Sequence, residues 1–364
     1  MTFSTTDREA MARALALAAQ GLATATPNPR VGCVILRDGK TVGEGWHRRA
    51  GEPHAEVLAL AEAGEAARGA TAYVTLEPCA HFGRTPPCAD ALAAAGIVRV
   101  VAAMQDPNPK VAGRGLARLR AAGIAVECGL LHDEARELNP GFISRMTRQR
   151  PWMRLKAAAT LDGKTALENG LSQWITGPEA RADGHRWRAR ACAILTGIGT
   201  VKADDPQLTV RALPCERQPL RILVDARLEV PPDVRILQGA PALIITAADT
   251  GEAHAQRLTA AGHRVLHLPG AEGRVDLPAL PRELAALELN EIHIEAGARL
   301  NGALLAAGCV DELLLYLAPI AVGSAARGIF DLPALTALDT AHRFAIRDCA
   351  KIGEDLRIIA RKAI

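Results

Sequence analysis

The sequence predicts two α/β domains in tandem, the first of them a three-layer α/β sandwich. Three observations lead there. The chain has 364 residues, whereas one compact domain commonly takes roughly 100–200. Its first half runs through short apolar and amphipathic stretches in the order β-β-α-β-α-β, then α-β, the pattern of helices packed on a sheet. A charged, polar run from Arg145 to Arg150, just before Pro151, interrupts that alternation. The domains are therefore expected at 1–148 and 149–364.

The elements follow in order. Thr6 and Glu9 have capping-box spacing and open an alanine-rich helix to about Ala19. Thr26-Pro27-Asn28-Pro29 is rigid and non-helical. Val31 to Leu36 reads as a strand, and Arg37-Asp38-Gly39-Lys40 turns it into a second strand ending near Trp46. Pro53 suits the first turn of a helix carrying His54, Glu56, Val57 and Leu60. Ala72 to Leu76 is a short strand, Pro87 starts a helix that stops at Gly96, and Val98 to Ala103 is the next strand. A helix ending at Gly123 and a strand from Ile124 to Glu127 follow, then a helical segment from His132 interrupted by Pro140-Gly141. The second half places strands at Met153–Ala159, Ala193–Thr196, Arg221–Asp225, Ala242–Thr246, Arg264–Leu268, Glu291–Glu295 and Glu312–Leu317, with helical stretches between them.

Composition excludes several classes. Hydrophobic residues make up 49% and charged residues 23% of the chain, enough for a core and a solvated surface. A net charge of +3, 3% aromatics and no dense Lys/Arg block argue against a nucleic-acid partner. No apolar run approaches the ~20 residues of a membrane span, and the first residues lack a secretory layout. A cytoplasmic protein is expected. Eight cysteines in a chain this long do not make a disulfide framework.

Two of those cysteines stand in a metal-like setting. Pro53-His54-Ala55-Glu56 is followed by Glu77-Pro78-Cys79 and by Pro86-Pro87-Cys88. One imidazole, His54, and two thiolates, Cys79 and Cys88, suit zinc and leave a fourth position open to water, whose pKa the metal lowers to about 7. Glu56 need not bind the metal and can shuttle protons, the logic of zinc nucleobase deaminases. His54 and Cys88 are each placed in the first turn of a helix, where amide dipoles favour thiolate. The nine-residue step between the cysteines departs from the usual C-x-x-C. A closed structural zinc site, or simple buried thiols, is the alternative reading.

The second half carries no such constellation. G-x-G-x-x-G after a strand is missing, and only glycine-rich strand ends at Gly197-Ile198-Gly199, Ala296-Gly297 and Val322-Gly323 invite a ligand. Plain turn glycines would read the same way.

Motifs along nearly the whole chain resemble one family, the bifunctional riboflavin-biosynthesis enzymes. The matching runs are TPNPRVG at 26–32, GWHRRAGEPHAE at 45–56, TLEPC at 75–79, GRTPPC at 83–88 and MQDPNP at 104–109. KAAATLDGK at 156–164, SQWITG at 172–177, ADDPQLTVR at 203–211 and IEAG at 294–297 continue the match in the same order. That family fuses a diaminohydroxyphosphoribosylaminopyrimidine deaminase to a 5-amino-6-(5-phosphoribosylamino)uracil reductase. The resemblance implies a cytidine-deaminase-like α/β/α domain, a dihydrofolate-reductase-like α/β domain, zinc, NADPH, a small pyrimidine ribosyl phosphate as substrate, and a homodimer or larger assembly. The longer loop between the cysteines becomes a mark of the family.

The resemblance also implies contacts. Asn28, His47, His81, Asp106 and Asn108 fall at positions for the deaminase substrate, although Asn28 and the Asp106–Asn108 stretch are also ordinary turn chemistry. Ala158, Trp174, Thr200, Asp204 and the turn Gly297, Ala298, Arg299, Leu300, Asn301, Gly302, Ala303 fall at positions for NADPH, a helix N-terminus suiting a phosphate. Ser172, Arg188, Leu208, Arg211 and Glu295 fall at positions for the reductase substrate, with Arg188 and Arg211 as a phosphate clamp. No proton donor for the reduction is implied. A deaminase acting on nucleic acid and a non-catalytic NADP-binding second half are the competing classes.

Overall fold

Ser4, and not Thr6, caps the first helix. Its hydroxyl accepts from the Asp7 amide at 3.1 Å, and the Asp7 carboxylate accepts from the Ser4 amide at 2.9 Å. Asp7 outcompetes Glu9 for this role because distant partners hold it there: it accepts from the Tyr73 hydroxyl at 2.7 Å and from Arg99 at 2.6 Å. The computed structural model describes residues 3–80, 87–109 and 111–362, in two compact units, Met1–Gln149 and Arg150–Ile364.

In chain order the first unit contains α1 (Thr5–Ala19), β1 (Gly32–Arg37), β2 (Lys40–Trp46), α2 (Ala55–Ala63), β3 (Thr71–Val74), α3 (Cys88–Ala94), β4 (Arg99–Ala102), α4 (Arg114–Ala121), β5 (Ala125–Cys128), α5 (His132–Leu138) and α6 (Pro140–Arg148). The sheet order is β2-β1-β3-β4-β5. β1 is antiparallel to both its neighbours, and β3, β4 and β5 run parallel. Alternate residues serve two cores. Cys33, Ile35, Ala72, Val74 and Val100 face Ala59, Leu92 and Leu119 of α2, α3 and α4. Val34, Tyr73 and Val101 face Met11 of α1 and Phe142 of α6. This is the expected α/β/α sandwich.

The helices on β1 and β2 sit unusually close, because alanine faces glycine. A Cβ on Gly32 would stand 2.0 Å from the Ala14 carbonyl oxygen of α1. On Gly43 or Gly45 it would stand 2.1 or 2.3 Å from the carbonyl oxygens of Ala59 and Ala55 in α2. The backbones therefore meet directly, with no side chain between them. The expected helix starts shift slightly. His54 is the N-cap of α2 in extended conformation, with Pro53 outside, and Pro87 caps α3 so that Cys88 is its first residue.

The second unit contains β6 (Trp152–Thr160), β7 (Lys164–Ala166), α7 (Pro178–Arg190), β8 (Ala193–Gly197), α8 (Ile198–Asp204), β9 (Leu220–Val224), β10 (Ala242–Thr246), α9 (Ala253–Ala260), β11 (Arg264–His267), α10 (Leu280–Ala286), β12 (Glu291–Ile294), α11 (Ala298–Ala306), β13 (Glu312–Ala318), β14 (Arg327–Gly328), β15 (Phe344–Ile352) and β16 (Asp355–Lys362). Nine strands form one sheet in the order β11-β10-β9-β8-β12-β6-β13-β16-β15. Its strands are parallel up to β13, and the antiparallel pair β16 and β15 closes one side. One face packs Leu155, Leu195, Ile222 and Ile294 on Leu284 of α10 and Leu304 of α11. The other packs Ile194, Leu223 and Ile244 on Val201 of α8 and Leu258 of α9.

Part of that second face is charged yet buried. Arg154 on β6 lies between Glu291 on β12 and Glu312 on β13, and all three are at most 1% exposed. Arg190 of α7 reaches Glu291 at 2.8 Å, and Arg361 of β16 reaches Glu312 at 2.9 Å. The Trp187 ring of α7 covers the Arg154 guanidinium at 4.4 Å. Such charges are tolerated only because each is paired. Among the described residues, no helix is long and apolar enough to cross a membrane.

Candidate active sites

The first site gathers where α2, α3 and the end of β3 meet. The stiff Glu77-Pro78 step carries Cys79 onto a loop past β3, while His54 and Cys88 arrive from two helix starts. The His54 Nδ1 lies 3.3 Å from Cys88 Sγ and 3.7 Å from Cys79 Sγ, and the three ligand atoms fall within 4.8 Å of one another. Zinc held by sulfur at about 2.3 Å and nitrogen at about 2.0 Å spaces tetrahedral donors about 3.5–3.8 Å apart. The donor set and its spacing thus fit the ion. The Cys88 amide also donates to Cys79 Sγ at 3.3 Å.

Electrostatics suit a cation here. Hydrogen bonding from Cys88, and then from His54, lowers the Cys79 thiol to about 4 against the opposing effect of burial. The hydrogen bond to Cys79, then burial and the Glu56 charge, push the Cys88 thiol up. Two sulfurs crowd a negative charge that a divalent ion would relieve. Glu56 is 4% exposed, and burial lifts its carboxyl to about 6, with His54 opposing. A carboxyl with that affinity for protons is suited to exchange them near neutral pH.

Two expected substrate residues join this cluster through one histidine. The His47 ring meets the His54 ring edge-on at 5.3 Å between centroids. His47 Nδ1 lies 3.2 Å from the Pro53 carbonyl, which can only accept, so Nδ1 carries the proton. Its bare Nε2 then accepts from Asn28 Nδ2 at 3.0 Å. Asp106 is nearly buried, and burial raises it to about 6, aided by the charges of Glu77 and Cys79. Its Oδ1 accepts from the Asn108 amide at 2.8 Å, which closes a tight turn. His81 lies outside the described residues.

The second site forms at the C-terminal ends of β8, β12 and β6. Arg188 of α7 grips Glu295, its Nε at 2.5 Å from Oε1 and Nη2 at 2.8 Å from Oε2, while Nη1 donates to the Thr209 carbonyl at 3.1 Å. A guanidinium occupied in this way is a poor half of a phosphate clamp; Arg211 is the exposed one of the expected pair. Burial opposes ionisation of Glu295, yet the charge and hydrogen bonds of Arg188 hold its carboxyl well below the usual range. Leu208 is buried with φ +49°, and Ser172 is half-buried.

Thr200 and Gly297 stand side by side at two helix starts, since a Cβ on Gly297 would lie 3.8 Å from Thr200 Oγ1. The bare Gly297 N-cap of α11 leaves a cradle that fits a phosphate-bearing cofactor. Within the expected turn, Gly297, Ala298, Arg299 and Leu300 retain exposure. Asn301 and Gly302 instead pack inward. Asn301 Nδ2 donates to the Ile329 carbonyl at 3.1 Å, and a Cβ on Gly302 would meet the Asp331 carbonyl oxygen at 1.9 Å. Ala303 and Asp204 are exposed, and Ala158 is half-buried. Trp174 is 66% exposed, with the Arg181 guanidinium 4.6 Å from its ring.

Three residues near this site escaped sequence reasoning. Lys156 follows Arg154 on the same face of β6, and burial lowers its ammonium, with Glu295 opposing. His293 is fully buried, its Nε2 3.2 Å from Glu295 Oε1. His185 is pushed down to about 4 by burial, then by Arg188 and Arg211. The period-two spacing of Arg154, Lys156 and Ala158 and of Glu291, His293 and Glu295 was the available signal.

Known proteins share this arrangement. Residues 151–358 match the RibD C-terminal domain, and residues 4–104 match the cytidine and deoxycytidylate deaminase zinc-binding region. The riboflavin biosynthesis protein RibD of Escherichia coli (strain K12) is 51% identical, over 96% of this chain and 98% of that protein. Its counterpart from Aquifex aeolicus (strain VF5) is 43% identical over 98% of each. Among solved structures, Acinetobacter baumannii RibD superposes with a TM-score of 0.90 at 42% identity, covering 99% of both chains. The diaminohydroxyphosphoribosylaminopyrimidine deaminase/5-amino-6-(5-phosphoribosylamino)uracil reductase of Thermotoga maritima superposes with a TM-score of 0.87 at 31% identity, covering 98% and 99%. With its zinc-binding deaminase region and NADPH-using reductase domain, the chain belongs to the RibD family of bifunctional deaminase–reductases of riboflavin biosynthesis.

Proposed function

We propose that the chain deaminates 2,5-diamino-6-(5-phosphoribosylamino)pyrimidin-4-one in residues 1–148 and reduces the ribosyl group of the product in residues 149–364. The product would be 5-amino-6-(5-phosphoribitylamino)uracil. The observation that carries the first half is the convergence of His54, Cys79 and Cys88 beside the buried Glu56.

His54, Cys79 and Cys88 would hold zinc, which supplies an activated water at neutral pH. Glu56 accepts a proton from the attacking water and returns protons to the ring nitrogen and the departing amine. Water and the amino-bearing carbon thus become a carbonyl and ammonia. Asn28 and His47 orient the base, with the His47 tautomer fixed by Pro53, and Asp106 and Asn108 supply further substrate contacts.

In the second unit NADPH would supply the hydride to the first ribosyl carbon. Thr200 and the Gly297 cap would receive its phosphates, and Ala158, Trp174 and Asp204 would supply further cofactor contacts. Arg188 holds Glu295 as a fixed acceptor for the substrate, and Arg211 meets the ribosyl phosphate beside Ser172 and Leu208. Lys156, whose proton is loosened by burial, is the group we assign to protonate the opened sugar. A cytoplasmic homo-oligomer is the setting the family supports.

The test is Glu56→Gln on the whole chain. It keeps its zinc and loses ammonia release, while NADPH oxidation on the deaminated intermediate continues. Zinc loss, or persistent deamination, overturns the role of Glu56. A wild-type chain that neither releases ammonia nor oxidises NADPH overturns the function.

A further inference from the structure

One buried carboxylate near the first site has no role so far. Glu77 is 4% exposed and stands two residues before Cys79. It receives four backbone amides. Oε1 accepts from Gly115 at 2.8 Å and Leu116 at 3.2 Å, and Oε2 accepts from Asp106 at 3.0 Å and Gly113 at 2.9 Å.

Two of these donors belong to the first turn of α4. Its own N-cap, Gly113, has no side chain and adopts φ +87°. A distant carboxylate therefore does the work a local Ser or Asp would do. The other oxygen ties the Gly113 end to Asp106, where the expected substrate turn begins. One side chain thus joins the start of that turn and the start of α4 to the segment carrying Cys79. The fit is tight, since a Cβ on Gly115 would lie 1.9 Å from the Pro78 carbonyl oxygen. Further along α4, Arg118 donates to the Ala80 carbonyl at 3.2 Å and to Asp90 of α3 at 2.7 Å. The helix is consequently braced against the chain beyond both cysteines.

We propose that Glu77 is a positioning residue for the deamination: it holds the Asp106–Asn108 turn in a fixed place relative to the segment carrying Cys79. The proposal rests on the reading that this turn meets the deaminase substrate. Bonds to a charged acceptor are strong, and four on one side chain over-determine the turn's place. An amide in its stead can accept at only one atom, which leaves two amides unmatched.

The experiment compares wild type, Glu77→Gln, Asn108→Ala and the double variant as full-length chains. Zinc content, NADPH oxidation on the deaminated intermediate, and kcat and KM for ammonia release are measured. Glu77→Gln is expected to keep its zinc and its reductase rate while KM for deamination rises about tenfold and kcat changes less. In the Asn108→Ala chain the same change adds less than about threefold, because the turn's contact is already gone. An unchanged KM in Glu77→Gln, where Asn108→Ala does raise it, overturns the positioning role alone. Loss of zinc overturns it too, since the carboxylate would then act through Cys79. An unchanged KM in Asn108→Ala overturns the substrate reading beneath it. If Glu77→Gln does not fold, Glu77→Asp keeps the charge but withdraws the oxygens, and an unchanged KM there is equally fatal.

Discussion

The two sites of this chain are built on opposite plans. The first concentrates its chemistry in four side chains, His54, Glu56, Cys79 and Cys88, presented at helix starts and a loop. The second, on the proposed function, would disperse its contacts from residue 158 to residue 303, around one ion pair between Arg188 and Glu295. A site whose reagent is a metal needs few residues at fixed spacing. A site whose reagent is a large diffusible cofactor needs a long surface. Single substitutions should therefore silence the first site outright and merely weaken the second.

The sharpest way to break this contrast is Cys88→Ser. It should abolish zinc binding and lower deamination by about a thousandfold or more, with NADPH oxidation on the deaminated intermediate unchanged; metal analysis and the two assays decide. A reductase that also fell would mean that the sites are not independent.

Arg154→Met attacks the second unit through its buried charges instead. Leaving Glu291 and Glu312 short of a partner should cost about 3–5 kcal/mol. Calorimetry should show the second unit melting earlier while the first keeps its transition. Glu295→Gln should lower reductase kcat/KM about 10–100-fold and spare ammonia release, because it removes one partner of a hydrogen-bonded charge pair without removing the cofactor surface.

The smallest effect concerns acid. Arg99, with Tyr73 and Ser4, holds the Asp7 carboxyl well below the usual range against a smaller opposing effect of burial. A depressed folded-state pKa stabilises above the unfolded value of about 3.9, and that contribution disappears as pH falls through the folded value. Asp7→Asn should cost about 1–3 kcal/mol at neutral pH. The deficit should shrink as the medium falls below about pH 4, read from denaturant midpoints of the first unit across pH.

Much of this was legible in the residues. The metal set was local chemistry at readable spacing, and the main strands announced themselves as apolar runs. What escaped depended on distant partners. Ser4 displaced Thr6 as the cap because Asp7 is anchored by Tyr73 and Arg99, far along the chain. Arg154, Glu291 and Glu312 fell inside runs read only as strands, and nothing in any one run shows that they pair across the sheet beneath α7. The closing hairpin of β15 and β16 was missed for a related reason. Its β15 edge is mostly exposed, with charges interspersed and Ile346 67% exposed, so no apolar alternation marks it. The Arg188–Glu295 grip was equally hidden, since each residue alone read as a ligand contact.

Gly43 and Gly45 have a consequence for how such a chain can change over generations. Helix α2 bears His54 and Glu56 at its start, and its height over β2 is set by two absent methyl groups. Cys79 and Cys88 ride on other elements. A methyl gained at either glycine would lift one half of the site away from the other, without touching a ligand. These two positions are therefore closed to gradual drift. Variation in the deaminase half must pass through its loops and its outer helix faces, and the spacing of its reactive groups is inherited as a gap.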